Sequence, residues 1–473
     1  MLKGLEIREY KLSDCIQNKD YRIDTDYYIK IPIKNRNLQY KKIGECLLYS
    51  QYGISIEMNE ENKGYPIYRM NEIHDTLCDL DVDKCADIEE DVFESFQLND
   101  KDVLFNRTNS YDFVGRTGIY YDNDGVKRTF ASYLVKLVPK TNIILPEYLT
   151  TYLNTEQGIQ DIKRHARQSI NQTNVNPEEV KDMEIPILSM SFQEEIEDCL
   201  VMANKLRCQS YSLYKRTAKC LTEIYDVDEI KHFNENHSAI SYNKSFFHSG
   251  RLDAEYYLPQ YDMLFEKLKR FETKRLGDIV GINKSIEPGS DYYQTEGIPF
   301  VRVADITKYG ITKPTVYLDR NIFRDAIRPK MNTILLSKDG SVGIAYKVEK
   351  DEDIITSGAI LHLAIKDEGV LPDYLTLVIN SEAVQMQAER DAGGSIIKHW
   401  KPSEIENVVI PILPMDEQIK ISEMVQESFR LRNKSERLLE VAKKAVEIAI
   451  SDNEEKAMQF IKENENGQSL YNE

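Results

Sequence analysis

Two pairs of short polar segments carry the side chains best suited to touch a nucleic acid. The first pair is K-R-H-A-R-Q-S at 163–169 and R-D-A-G-G-S-I-I-K-H-W-K at 390–401, one in each half. The second is N-R-T-N-S at 106–110 and S-K-D-G-S at 337–341, again one in each half. Arg and Lys suit phosphate oxygens, Asn, Gln, Thr and His suit base edges, and glycine lets a backbone approach closely. The candidate DNA contacts in the first half are Asn106, Arg107, Thr108, Asn109, Lys163, Arg164, His165, Arg167 and Gln168. In the second half they are Ser337, Lys338, Asp339, Ser341, Arg390, Gly394, Ser395, Lys398, His399 and Lys401. Each cluster alone also fits an ordinary solvated loop. Their occurrence at matching places in the two halves is what favours contact.

No catalytic motif competes with that reading. The chain has no G-x-x-x-x-G-K-[ST] phosphate loop, no strand-linked G-x-G-x-x-G and no zinc-protease helix pair. No Ser, His and Asp set declares itself by an elbow sequence. Asn176-Pro177-Glu178 reads as a helix start, not as the Asn-Pro-Pro-aromatic loop of an amino-methyltransferase. Asp79, Asp81, Asp83 and Glu90 imitate a calcium loop, but Lys84 stands where the turn needs glycine, so an acidic solvated loop is expected. No metal or cofactor is therefore expected on this chain. Trp400, the single tryptophan, reads as a buried anchor beside Pro402. The repeated motifs R-I-D-T-D-Y-Y (22–28) and R-L-D-A-E-Y-Y (251–257) read as Arg–carboxylate pairs whose tyrosines pack on a long helix.

At 473 residues, with 41% apolar and 30% charged residues, the chain is globular and long enough for two to four domains. A net charge of −18 argues against a chain that grips DNA unaided. Either a basic partner shares the phosphate contacts or there is no nucleic-acid role. Seven cysteines without a C-x-x-C pair suit a reducing cytoplasm. No run is long enough to span a bilayer, and the first residues, MLKGLEIREYKL, lack the apolar core of a signal peptide. A cytoplasmic protein with no membrane role is expected.

The elements that must position the clusters come in duplicate. K-I-G-E at 42–45 matches R-L-G-D at 275–278, and G-Y-P-I-Y-R at 64–69 matches G-I-P-F-V-R at 297–302. D-V-L-F-N-R at 102–107 matches T-I-L-L-S-K at 333–338, and L-P-E-Y-L-T at 145–150 matches L-P-D-Y-L-T at 371–376. I-P-I-L occurs at 185–188 and again at 410–413. An ordered series of this kind marks a tandem duplication. Strands are expected at Tyr65–Tyr68, Asp102–Phe105, Phe300–Val303 and Thr333–Leu336, and helix starts at Pro146, Pro177, Pro372 and Pro402. After each I-P-I-L comes a long helix of 3.5-residue period: Ile196, Leu200, Ala203, Arg207, Tyr214, Leu221 and Ile224, then Ile421, Val425, Arg432, Leu439, Ala442 and Val446. Such a stripe seeks a partner helix, and here the partner is the other copy. The expected layout is α+β: 1–187 a first domain, 188–230 a central long helix, 231–250 a linker, 251–412 a second domain and 413–465 a C-terminal long helix.

The layout resembles the specificity subunit of type I restriction–modification enzymes. The resemblance rests on I-L-L-S-K-D-G-S-V-G (334–343) and D-V-L-F-N-R (102–107), and on N-V-V-I-P-I-L-P-M-D-E-Q (407–418) and D-M-E-I-P-I-L-S-M-S-F-Q (182–193), each leading into a long helix. It implies two homologous α/β target recognition domains joined by two antiparallel coiled-coil helices about a pseudo-twofold axis. It also implies a two-part asymmetric target in double-stranded DNA. The subunit itself would be inactive. It would recruit two methyltransferase subunits that use S-adenosylmethionine, and restriction subunits that use ATP and magnesium. Two alternatives stay open: a scaffold that binds methyltransferase without reading DNA, and an enzyme component whose site is assembled only in space.

Overall fold

A computed structural model describes residues 9–17, 22–29, 31–74, 76–170, 172–227, 230, 237–243, 245–394 and 397–465. Its residues divide into two units, one within Met1–Cys208 and Leu431–Glu473, the other within Gln209–Arg430. Each long helix thus gives one part of its length to each unit.

The first unit is built on a six-stranded sheet. Its strands are β1 (Leu47–Tyr52), β2 (Ile73–His74), β3 (Thr76–Cys78), β4 (Val103–Asn106), β6 (Thr117–Ile119) and β7 (Leu134–Pro139), while β5 (Thr108–Asn109) leaves it for a smaller sheet. The order is β1-β7-β4-β6-β3-β2. V-L-F at 103–105 is an unbroken apolar run because β4 is covered on both faces. Val103 and Phe105 join the cluster of Tyr148 and Tyr152, whereas Leu104 faces Tyr68 and Leu134. Helix α1 (Pro146–Leu153), opened by its proline, is buried throughout. Helix α2 (Glu156–His165) starts where Thr155 Oγ1 accepts the Gly158 amide and leads to strands β8 (Arg167–Gln168) and β9 (Thr173–Asn174). Then come α3 (Pro177–Asp182), capped by Asn176, and the long helix α4 (Met190–Tyr225).

The second unit repeats the plan. Strands β10 (Val280–Lys284), β11 (Ile334–Ser337), β12 (Ala345–Lys347) and β13 (Ile360–Ile365) form a sheet of order β10-β13-β11-β12, the counterpart of β1-β7-β4-β6, with every neighbour antiparallel in both. Helices α5 (Pro372–Ile379) and α6 (Glu382–Asp391) follow, then the long α7 (Met415–Ser451). Of the expected strands, Tyr65–Tyr68 has the expected bounds and the other three are present with bounds shifted by one or two residues.

The joint between domain and long helix is copied almost atom for atom. Gln193 Oε1 accepts the Leu145 amide at 2.8 Å, and Gln418 Oε1 accepts the Leu371 amide at 3.0 Å. The Tyr148 and Tyr374 hydroxyls donate to the Pro186 and Pro411 carbonyls, both at 2.7 Å. All four side chains are buried, and each replaces an otherwise unmet backbone hydrogen bond at an element's end.

Within each unit the two long helices run antiparallel. In the first, Ser435 Oγ donates to the Ala203 carbonyl at 2.6 Å, and Ser189 N to Glu454 Oε1 at 2.8 Å. In the second, Ser428 Oγ donates to the Ser210 carbonyl at 2.9 Å. Ile196, Leu200, Ala203, Tyr214, Leu221, Ile421, Val425, Ala442 and Val446 are buried as expected, and Leu439 partly so. The bonds that cross the seam come from the small serines, while Arg207 bonds Asn204 and Arg432 pairs with Glu436, each on its own helix. Two expectations need correction. Ile224 is 37% exposed. The C-terminal helix is not continuous: it ends at Ser451, and Asn453 Oδ1 accepts the Lys456 amide to cap α8 (Glu454–Glu465). Of the expected linker, 231–236 and 244 lie outside the described residues.

Candidate DNA interface

In each domain the two polar segments, about sixty residues apart in sequence, meet beside the central strand. In the first, β5, β9 and β8 make a three-stranded sheet in which Thr108 faces Asn174 and Asn174 faces Arg167. Arg107 N donates to the Tyr133 carbonyl at 3.0 Å, and Val175 N to the Arg107 carbonyl at 2.9 Å. In the second domain Lys338 N donates to the Ala359 carbonyl at 2.9 Å, and Trp400 N to the Lys338 carbonyl at 2.8 Å. Asp339 bridges to His399, and His399 to Gly393. The backbone scaffold is therefore the same in both domains, so Arg107 corresponds to Lys338, Thr108 to Asp339, Asn174 to His399 and Arg167 to Gly393.

The side chains on that scaffold differ. Thr108 Oγ1 donates to Asn174 Oδ1 at 2.5 Å, a neutral pair. At the matching place His399 Nδ1 lies 2.9 Å from Asp339 Oδ1, and Lys338 pairs with the same carboxylate. Arg107 donates Nε to the Ser132 carbonyl at 3.0 Å, and its guanidinium lies 5.1 Å from the centre of the half-exposed Tyr52 ring. Arg167 and Gln168 are exposed on β8, with Arg167 Nη2 2.9 Å from Glu179 Oε1. Ser341, Lys398, His399 and Lys401 are exposed, and Lys401 pairs with Glu404. Gly394 has φ +126, and a Cβ there would meet the Ile397 carbonyl oxygen at 2.1 Å, so this turn requires glycine. Asn109 is partly buried, its Oδ1 accepting the Ser110 amide at 2.8 Å. Ser395 lies outside the described residues.

Several candidates face inward. Asn106 and Ser337 end the central strands and are fully buried; Ser337 Oγ donates to the Ser341 carbonyl at 2.5 Å. Lys163 turns back over its helix onto the carbonyls of Tyr111, Asp112 and Val114, and burial pulls its ammonium down to about 8. Arg164 pairs with Asp161, and buried His165 lies with Nδ1 2.8 Å from the Asp161 carbonyl. Arg390 pairs with Asp391. Lys163, Arg164 and His165 belong to the last turn of α2 and Arg390 to that of α6, where a cation also suits the helix dipole. Reading K-R-H-A-R as one basic patch missed that a helix turn points successive residues in different directions.

The geometry adds residues that the polar segments alone did not flag. Asn174 is one, as the partner of Thr108. Ile170, 99% exposed at the β8–β9 turn, and Ile397, 53% exposed beside Lys398, are others. Tyr133, 40% exposed, stands next to the carbonyl that holds Arg107. A lone isoleucine or tyrosine in a loop carries no signal until its exposure is known. Trp400 is buried, as expected of an anchor. The tyrosines of the two Arg-x-Asp motifs do not lie on the long helices: Tyr27 and Tyr256 pack against Arg164 and Arg390.

Among the described residues no group of His, Cys, Asp and Glu is placed to hold a metal ion, and no helix is long and apolar enough to cross a membrane. The family described as type I restriction modification DNA specificity domain matches residues 35–202 and again 269–441, the two copies of the repeat. A putative type I restriction enzyme MjaX specificity subunit from Methanocaldococcus jannaschii is 22% identical over 420 residues, 86% of this chain and 91% of that one. Among solved structures, the type I restriction–modification S subunit from M. genitalium is 12% identical, covering 90% of this chain and 97% of its own, with a TM-score of 0.36. The HsdS subunit from Thermoanaerobacter tengcongensis is 14% identical, covering 89% and 98%, with a TM-score of 0.29.

Proposed function

The chain belongs to the type I restriction–modification DNA specificity family, and from that premise we propose that it reads a two-part target in double-stranded DNA, one half-site per domain. The observation that carries this is the pair of loop scaffolds with matching backbone hydrogen bonds and unlike side chains. A shared backbone frame presents Asn174, Arg167 and Gln168 in one domain, where buried Thr108 holds Asn174, and Lys338, Asp339 and His399 in the other. Gln168 and Asn174 suit adenine, Arg167 or Lys338 guanine, and Asp339 accepts from cytosine. Exposed Ile170 suits a thymine methyl group. Identical domains would read identical half-sites; these need not.

Methyl transfer and cleavage belong to partners in this reading. The chain docks two methyltransferase subunits carrying S-adenosylmethionine, and restriction subunits carrying ATP and magnesium, in the cytoplasm. It performs no catalysis itself. The charge of −18 fits a division of labour in which this chain specifies bases and a basic partner neutralises phosphates. Helix α4, 36 residues long, is the spacer that sets the gap between half-sites.

A gel shift across a salt series, with and without the methyltransferase, tests the proposal. The expected result is sequence-preferring binding by the complex and weak, salt-sensitive binding by the lone chain. A complex with no preference over random DNA would leave a docking scaffold, and methylation or cutting by the lone chain would make it an enzyme.

A further inference from the structure

Both domains begin with the same clasp. In the first, Arg22 is buried and holds Asp24 through two bonds, Nε to Oδ1 at 2.8 Å and Nη2 to Oδ2 at 2.7 Å. Its remaining nitrogen, Nη1, donates to the carbonyl of His165, the last residue of α2, at 3.0 Å. The Tyr27 ring packs against two guanidinium groups, Arg22 at 4.5 Å and Arg164 at 4.6 Å. The Tyr28 hydroxyl donates back to the Arg22 carbonyl at 2.7 Å.

The second domain repeats each contact. Arg251 holds Asp253 with Nε–Oδ1 at 2.9 Å, and donates Nη1 to the carbonyl of Asp391, the last residue of α6, at 2.7 Å. Tyr256 packs against Arg251 at 4.4 Å and Arg390 at 4.9 Å, and the Tyr257 hydroxyl donates to the Arg251 carbonyl at 3.0 Å. In both cases the clasped carbonyl stands two residues before the strand or bridge residue that opens the recognition loop, Arg167 or Gly393. In the first domain Glu179 extends the connection, with Oε1 3.5 Å from Arg22 and 2.9 Å from Arg167.

We infer that Arg22 with Tyr27, and Arg251 with Tyr256, are positioning residues for sequence reading: each clasp fixes the helix end from which its domain's recognition loop departs. A fork fixed at both ends and a ring packed against two guanidinium groups define an orientation that a general packing contact does not. The inference rests on the DNA-reading proposal. A loop aimed by its own clasp predicts that damage stays in one half-site.

The test selects binding sites from a randomised duplex library with the full chain in complex with its methyltransferase. Arg22→Gln is expected to lower discrimination about tenfold or more in one half-site and leave the other unchanged; Arg251→Gln is expected to do the reverse. Tyr27→Phe keeps the ring and is expected to retain wild-type reading. Should Arg22→Gln fail to fold, Tyr27→Leu, which leaves the Arg22–Asp24 pair in place, carries the same expectation. Equal loss in both half-sites, or no loss, would overturn the clasp's role while wild-type selection still yields a two-part site. A wild-type complex that selects no site would instead overturn the reading proposal and this inference together.

Discussion

His362 lies in β13 with Nε2 2.8 Å from Thr356 Oγ1, and burial pulls its imidazole down to about 4 from an ordinary 6.5. The folded domain therefore refuses a proton that the unfolded chain accepts. Stability is complete above pH 6.5 and is lost as the pH falls from there towards 4, up to about 3 kcal/mol for this one group. Urea midpoints measured between pH 7.5 and 5 should show that slope, and His362→Gln should flatten it; an unchanged slope would refute the assignment. On the surface, His399→Ala should relax the second half-site alone, by about 1–3 kcal/mol of discrimination. Competition binding with single-base variants of each half-site measures this, and an effect spread over both halves would count against it. Residue types were legible in the sequence, but directions were not. Lys163 and Gln168 looked equally available until one proved turned onto carbonyls and the other exposed.

The long helices show the same boundary between what a pattern reveals and what it hides. A 3.5-residue stripe found the seam, because apolar periodicity reports burial directly. It did not reveal that Arg207 and Arg432 bond within their own helices and leave the cross-helix bonds to serines. Ser210, Ser428 and Ser435 fill the gap. Ser435→Ala should destabilise the chain by about 1 kcal/mol through the lost hydrogen bond. Ser435→Leu, forced into a close approach, should destabilise it by about 1–3 kcal/mol. Denaturant unfolding reads both, and a Leu variant as stable as the parent would mean the seam is looser than described. The break after Ser451 escaped the pattern because apolar residues continue through α8; only the Asn453 cap reveals the stop. If α4 is the ruler between half-sites, inserting four residues near Ser210 should change the permitted spacer. An unchanged spacer would show that length is set elsewhere.

For the whole chain, the duplication was the most legible feature, because an ordered series of matches needs no three-dimensional knowledge. It gave the repeated sheet and the repeated joint at Gln193 and Gln418. What it left hidden was the meeting of segments far apart in sequence, 106–110 with 167–174 and 337–341 with 391–401, because chain distance says nothing of which loops a sheet brings together. The clasps add a boundary condition for any exchange of domains: a graft that begins after Tyr28 separates Arg22 from the helix end it holds.

The most direct test of two independent readers is to exchange residues 22–187 for the first domain of another family member and map the methylated positions in DNA from cells carrying the exchanged or the original chain. The account predicts that one half of the target changes while the other half and the spacer between them stay as before. Alteration of both halves, or of neither, would contradict it.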